Sequence, residues 1–282
     1  MKAIYSVLIT LSIIALTACG NSSNSSNSDN IQSPIAPKPK GAIRIMTYNV
    51  GAICKFIDAN FTKENNVQLL ADVIKESRAD VVAIQELDSC NTRNDYFQLK
   101  SIAESCGPKW NFYYGPAIDY RGGKYGTGVM GKEKKILKTL HIPIPVKEKS
   151  EPRVLTIVEY KNYVMACTHL NGGQPSQVKY LSAEIKKLYG ESKKPVFLGG
   201  DMNAYPNDTM MAEFRKDWTI ISQTSSGTTV ENSNKPCIDY ILQLNNNAKP
   251  AQIINSAVIT ESNAGNMKKA SDHYAVYVDV KL

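Results

Sequence analysis

The chain has 282 residues, a formal net charge of +7 and six cysteines, and from about residue 41 onward its composition is that of an ordinary globular protein, without an internal repeat or second linker. One layered α/β or all-β domain accounts for that length. The mild positive excess favours anionic substrates or surfaces without making the chain a nucleic-acid binder, and no CxxC or Cys/His spacing supports a structural zinc site.

Residues 1–18 combine Lys2 with an apolar run over 7–16 relieved only by Thr10 and Ser12. That is an export signal, too short to span a membrane. Its ending, Leu16-Thr17-Ala18-Cys19, resembles a bacterial lipobox, which implies cleavage before Cys19 and lipidation of that thiol. The expected location is therefore the cell envelope, periplasmic or surface-exposed, with a lipid anchor in the membrane. Residues 19–40 are rich in Asn and Ser, then Pro, and read as a flexible tether. The remaining cysteines are Cys54, Cys90, Cys106, Cys167 and Cys237, an odd number that leaves at least one thiol unpaired or paired between chains. Cys54 and Cys90 can meet if the strands before them are neighbours, and Cys167 reads as a buried thiol within a strand.

In chain order, residues 42–50 alternate as a strand ending at Asn49. Residues 65–77 place Val67, Leu70, Ala71 and Ile74 on one helical face, and 80–84 form a buried strand ending in Gln85-Glu86. A helix near 95–105 precedes strands near 111–114 and 126–130. Residues 153–160 and 163–169 form two strands across a tight Lys161-Asn162 turn, the second ending in Thr168-His169. Helical spacing over 174–189 leads into an apolar strand at 195–198, which Gly199-Gly200 is expected to end by turning the backbone. Beyond them Asp201 and Asn203, one residue apart, are expected on one face. A short helix near 208–215, a strand at 238–244 and a final strand at 273–280 complete the reading. Polar residues thus recur at strand ends: Asn49, Glu86, His169, Asp201, Asn203, Asp239, Asp272 and His273.

That pattern suits phosphate chemistry. An aspartate takes a proton from water or holds a metal, and an asparagine amide donates to a phosphoryl oxygen without adding negative charge. Two of only three histidines fall at strand ends. The ordered motifs TYNV, IQEL, EPRV, THL, GGDMN, IDYIL and SDHY resemble the endonuclease/exonuclease/phosphatase superfamily across essentially the whole chain from Arg44.

The resemblance implies a four-layer α/β sandwich, two packed mixed sheets with helices outside, over a catalytic domain at 41–282. It implies a metal-dependent phosphodiesterase or phosphatase acting on nucleic acid or a phospholipid head group, with a sphingomyelinase-type lipid hydrolase or an inactive binding module as alternatives. The implied cofactor is magnesium, with manganese or calcium as alternatives, held by Asn49 and Glu86 with Asp272 beside it. The implied catalytic residues are His169 paired with Glu151, Asp201 on the attacking water, Asn203 on a phosphoryl oxygen, and His273 held by Asp239. The inositol 5-phosphatase signature Cys-Asp-Arg is absent at Cys237-Ile238-Asp239-Tyr240, which disfavours that activity. Arg93, Arg121 and Tyr125 are candidate substrate contacts on loops. The expected state is a monomer.

Overall fold

The alternation at residues 42–50 becomes β1 (Ile43–Asn49), in which Ile45 and Met46 are both fully buried because the strand is covered on both faces. The computed structural model describes residues 32–53 and 63–282, of which residues 33–282 form one compact unit. After β1 the chain runs through α1 (Lys63–Glu76), β2 (Val81–Ser89), α2 (Gln98–Cys106), β3 (Asn111–Tyr120), β4 (Gly123–Gly131) and β5 (Lys138–Ile144). It continues through β6 (Arg153–Glu159), β7 (Val164–His169), α3 (Pro175–Tyr189), β8 (Val196–Asp201), α4 (Thr209–Phe214) and β9 (Trp218–Ile220). Last come β10 (Asp239–Leu244), β11 (Gln252–Ile259), α5 (Met267–Ala270) and β12 (Ala275–Lys281).

Two mixed six-stranded sheets result, ordered β11-β12-β1-β2-β4-β3 and β5-β6-β7-β8-β10-β9. Each has a parallel pair joined by a helical crossover, β1 to β2 through α1 and β7 to β8 through α3. The inner faces meet through Ile45, Ala83, Val129, Met165, Phe197 and Ile241. Helices cover the outer faces: Leu70 and Ile74 of α1 pack in one outer core, Leu181 and Ile185 of α3 in the other. The fold is therefore the four-layer sandwich, and no helix among the described residues is long and apolar enough to cross a membrane.

At one end of the first sheet, Arg44 is 1% exposed and donates from Nε and Nη2 to both carboxylate oxygens of Asp279, each at 2.7 Å. A buried pair with both ions hydrogen-bonded is tolerated where a lone charge is not. The same guanidinium donates to the carbonyls of Ser77 and Ala36.

The contact with Ala36 bears on the tether. Ile35 is buried in the core, Ser33 Oγ donates to Glu76, and Lys38 pairs with Asp80 at 2.6 Å. Residues 33–40, assigned to the tether by composition, are thus packed against the domain, because Ile35 supplies an apolar side chain and Lys38 an ionic partner. The expected export signal, with Cys19, and Cys54 lie outside the described residues. Cys167 is a buried free thiol, and Cys90, Cys106 and Cys237 are free as well.

The strands differ from the sequence reading in two informative places. β2 does not stop at Gln85-Glu86: it bulges there, with the register to β4 slipping between Ile84 and Leu87, and runs on to Ser89. β8 likewise runs straight through Gly199 and Gly200 to Asp201. Those glycines serve close approach rather than a turn. A Cβ on Gly200 would lie 2.3 Å from the Thr168 carbonyl oxygen, and one on Gly199 would lie 2.9 Å from Ala83 Cβ in the facing sheet.

Candidate active site

Topology gathers the polar residues. Because β10 and β12 run antiparallel to β8 and β1, their N-terminal ends meet the C-terminal ends of β1, β7 and β8. Asn49 ends β1, His169 ends β7, Asp201 ends β8, Asp239 opens β10, and His273 lies two residues before β12. Glu86 arrives by the bulge, at φ +56°. An extra residue in one strand re-aims a side chain, and here it turns the glutamate toward Asn49.

Asn49 ties the two sheets together. Its Nδ2 donates to Glu86 Oε1 at 3.1 Å and to Asp201 Oδ2 at 3.0 Å, while its Oδ1 accepts from the Gly51 amide. Around Asp201 Oδ2 stand two imidazoles, His169 Nε2 at 3.6 Å and His273 Nε2 at 3.7 Å. Asp201 and Asn203 come together by a route the alternation did not predict. Asn203 has φ +48°, outside extended backbone, and its amide nitrogen donates to Asp201 Oδ1 at 2.8 Å. Asparagine tolerates that left-handed conformation where most residues do not. Its Nδ2 then reaches His169 Nε2 and the Leu170 carbonyl, both at 3.0 Å.

The two histidines are driven to opposite states. Burial lowers the pKa of His169; Asp201 pulls it upward, Arg153 pushes it down again, and the value settles at about 4. Burial acts the same way on His273, but the hydrogen-bonded carboxylate of Asp239, 2.9 Å from Nδ1, with Asp201 and Asp272 outweighs it and raises the pKa to about 10. At neutral pH the pair is one neutral imidazole and one imidazolium. Burial first, then the neighbouring Asp239, raises the pKa of Asp201.

Glu151 does not contact His169 directly. Arg153 stands between them: its Nη1 pairs with Glu151 Oε1 and also lies 3.2 Å from His169 Nδ1, while its Nε donates to Asn171 Oδ1. Asp272 is half-buried at the other side of Asn49. The neighbouring Ser271 Oγ donates to the Asn49 carbonyl and lies 3.3 Å from Asp272 Oδ1. Arg93 grips the buried Asp88 with both Nε and Nη2, at 2.7 and 2.8 Å, and lies over the rings of Tyr120 and Tyr125. Arg93 and Tyr125 line a cleft of about 360 Å³ that includes Glu86 and His169. Arg121 is exposed at the β3–β4 turn, over Tyr120, and is not part of that lining.

The donor set fits a hard cation. Asp201, Asp239 and His273 each bring a polar atom within 4.8 Å of the others, and Asp239 Oδ1 is buried without a hydrogen-bond partner among the described residues; an imidazolium has no lone pair for a metal, so the carboxylate oxygens are the donors there. Oxygen donors dominate this cluster and the adjoining Asn49-Glu86 pair, as magnesium-type ions require.

Sequence reasoning gave no role to Arg153, Asp88, Ser271 or Tyr120. Arg153 was findable, since it stands two residues after Glu151 in a strand-like run ending opposite His169. The Asp88–Arg93 pair leaves no periodic trace.

The endonuclease/exonuclease/phosphatase family matches residues 46–273, and the chain belongs to it. Family members are hydrolases of phosphoester bonds that generally use divalent metals. Solved structures share the fold at low identity. An endonuclease/exonuclease/phosphatase from Bacteroides vulgatus aligns at TM-score 0.66 and 14% identity, over 86% of this chain and 100% of that one. The mannosyl-6-phosphatase of Bacteroides thetaiotaomicron aligns at TM-score 0.68 and 14% identity, over 85% and 100%. TDP2 of D. rerio, complexed with a single-strand DNA product, aligns at 0.61 and 18%, over 86% and 99%. No curated protein matches the chain.

Proposed function

We propose that this protein is a magnesium-dependent phosphoester hydrolase carried on the bacterial cell envelope by a lipidated Cys19. The observation that carries the hydrolase reading is the placement of Asp201 Oδ2 between the Nε2 atoms of His169 and His273. Separations of 3.6 and 3.7 Å are too long for direct hydrogen bonds, so the three groups face a common point that an oxygen can contact from one side.

Hydrolysis needs an oriented water, donors for the phosphoryl oxygens and help for the departing oxygen. Asp201, with its raised pKa, is suited to accept a proton from the attacking water. Arg153 Nη1 faces His169 Nδ1 and Asn203 Nδ2 faces Nε2; both can only donate, so the neutral ring accepts from just one of them. A phosphoryl oxygen entering beside Nε2 relieves that conflict: Nδ1 then accepts from Arg153, and Nε2–H and Asn203 Nδ2 both donate to the oxygen. His273, protonated through Asp239, carries a proton on Nε2 that can neutralise charge on the departing oxygen. Glu86 and Asn49, with Asp272 nearby, are the residues we assign to the ion; manganese or calcium would suit the same oxygen donors. When bound, the ion supplies charge neutralisation on the phosphoryl oxygens.

The neighbours point both ways on substrate, one being a mannosyl-6-phosphatase and another a structure with a DNA product. A panel of phosphoesters, assayed with magnesium and with chelator, tests the reading, and activity unaffected by chelator counts against it. The envelope reading rests on the lipobox: Cys19→Ser should leave the protein unlipidated and release it from membranes, and an unmodified Cys19 in the mature envelope fraction would end it.

A further inference from the structure

The cleft beside the reacting centre is small and electrically balanced. Its volume of about 360 Å³ is at the low end of small-molecule sites, room for a single ring. Glu86 and His169 belong both to the cleft wall and to the reacting centre, so the cleft is placed to receive a group attached to the phosphate handled there. Both cations in its wall are already matched to a carboxylate. Arg93 is held by Asp88 through two hydrogen bonds, and Arg153 by Glu151. No lysine among the described residues lines it.

A polyanion is held by cations that exchange counterions for phosphates, and guanidinium groups paired within the protein serve that purpose poorly. A hydroxyl has different needs: it donates once and accepts twice. The Arg153–Glu151 pair offers a donor and an acceptor side by side, while Ile118 and the Tyr120 and Tyr125 rings supply apolar surface for a ring's C–H face. Arg93 stacked over both tyrosines makes that wall rigid.

We propose that this cleft is the leaving-group subsite and that it takes an uncharged, hydroxyl-bearing ring, a sugar, esterified to the phosphate. The inference rests on the phosphoester hydrolase reading above. Water adds to phosphorus, the bond between phosphorus and the sugar's ester oxygen breaks, and one proton passes to that oxygen, releasing the free sugar and phosphate.

The test compares kcat/KM for hexose 6-phosphates, a thymidine hexanucleotide, a phosphocholine ester and p-nitrophenyl phosphate, all with magnesium. A hexose 6-phosphate should exceed each of the others by about tenfold or more, equivalent to roughly 1.4 kcal/mol of ring recognition. Tyr120→Ala and Arg93→Met should lose most on the sugar phosphate, through KM. Asp88→Asn, which keeps the Arg93 side chain but removes its counter-charge, should move preference toward the hexanucleotide. Preference of the unaltered protein for the hexanucleotide or the phosphocholine ester would overturn the inference while leaving the hydrolase reading intact. Should none of the esters be hydrolysed, the hydrolase reading fails and the leaving-group role with it, and calorimetry with the unaltered chain decides whether the cleft recognises a sugar ring. Tighter binding of hexose 6-phosphate than of inorganic phosphate supports it, and equal binding overturns it.

Discussion

Arg153 Nη1 lies 3.2 Å from His169 Nδ1, interposed between that ring and the carboxylate of Glu151. The family resemblance implies a histidine steadied by a glutamate, an arrangement that favours the imidazolium. A guanidinium in that position does the reverse, adding its charge to the effect of burial. His169 is accordingly a neutral donor, and acid–base work falls to Asp201 and His273.

Replacing Arg153 tests this division of labour. In Arg153→Met the pKa of His169 should rise from about 4 yet stay below its ordinary value, because burial is the larger cause. Turnover should fall on the order of tenfold or more, since Nδ1 loses the donor that favours a proton on Nε2 when a phosphoryl oxygen is bound. Histidine NMR titration reads the first effect directly, and an unchanged titration near 4 would show that the arginine does not govern the ring.

His273 makes the opposite prediction for stability. Its folded pKa, about 10, lies above the ordinary histidine value near 6.5. The stabilisation from its pairing with Asp239 is therefore fully present below about pH 6.5 and is lost as pH rises toward 10. Asp239→Asn should remove on the order of a few kcal/mol at pH 6 and much less at pH 10. Urea unfolding midpoints at the two pH values decide the matter, and an equal loss at both would contradict the assigned charge state.

Gly200→Ala should damage the site through the backbone. The added Cβ would meet the Thr168 carbonyl oxygen at 2.3 Å, and a backbone atom cannot swing aside as a side-chain tip can. Strain of about 1–3 kcal/mol is expected, with β7 pushed from β8 and His169 displaced from Asp201. A thermal midpoint and a turnover number both matching those of the unaltered chain would rule out the close-approach role.

The contrast between what could and could not be read follows one physical line. Central strands such as β1 and β7 were legible because burial leaves a strong apolar pattern, and their polar last residues stood out against it. The edge strands β5 and β11 and the short β9 left no such mark: Lys138–Ile144 carries Pro143 and His141, and Gln252–Ile259 is exposed over its first three residues and buried only at its last. The bulge that aims Glu86 and the left-handed Asn203 are backbone events fixed by neighbouring strands, invisible to a side-chain pattern. The candidate residues were therefore legible as a set, while the geometry joining Asp201 to Asn203 and Arg153 to His169 was not.

The measurement that reaches the centre of this account is a pair of magnesium titrations, on Glu86→Gln and Asp201→Asn, with a phosphoester the unaltered chain turns over. Glu86→Gln keeps the side-chain shape and removes its charge, so half-saturation should move to higher magnesium and turnover should drop on the order of 100-fold. Asp201→Asn should keep half-saturation closer to that of the unaltered chain and still lose turnover on the order of 100-fold or more, because the proton acceptor is gone. Full activity of Glu86→Gln in the presence of chelator would contradict the metal-dependent mechanism outright.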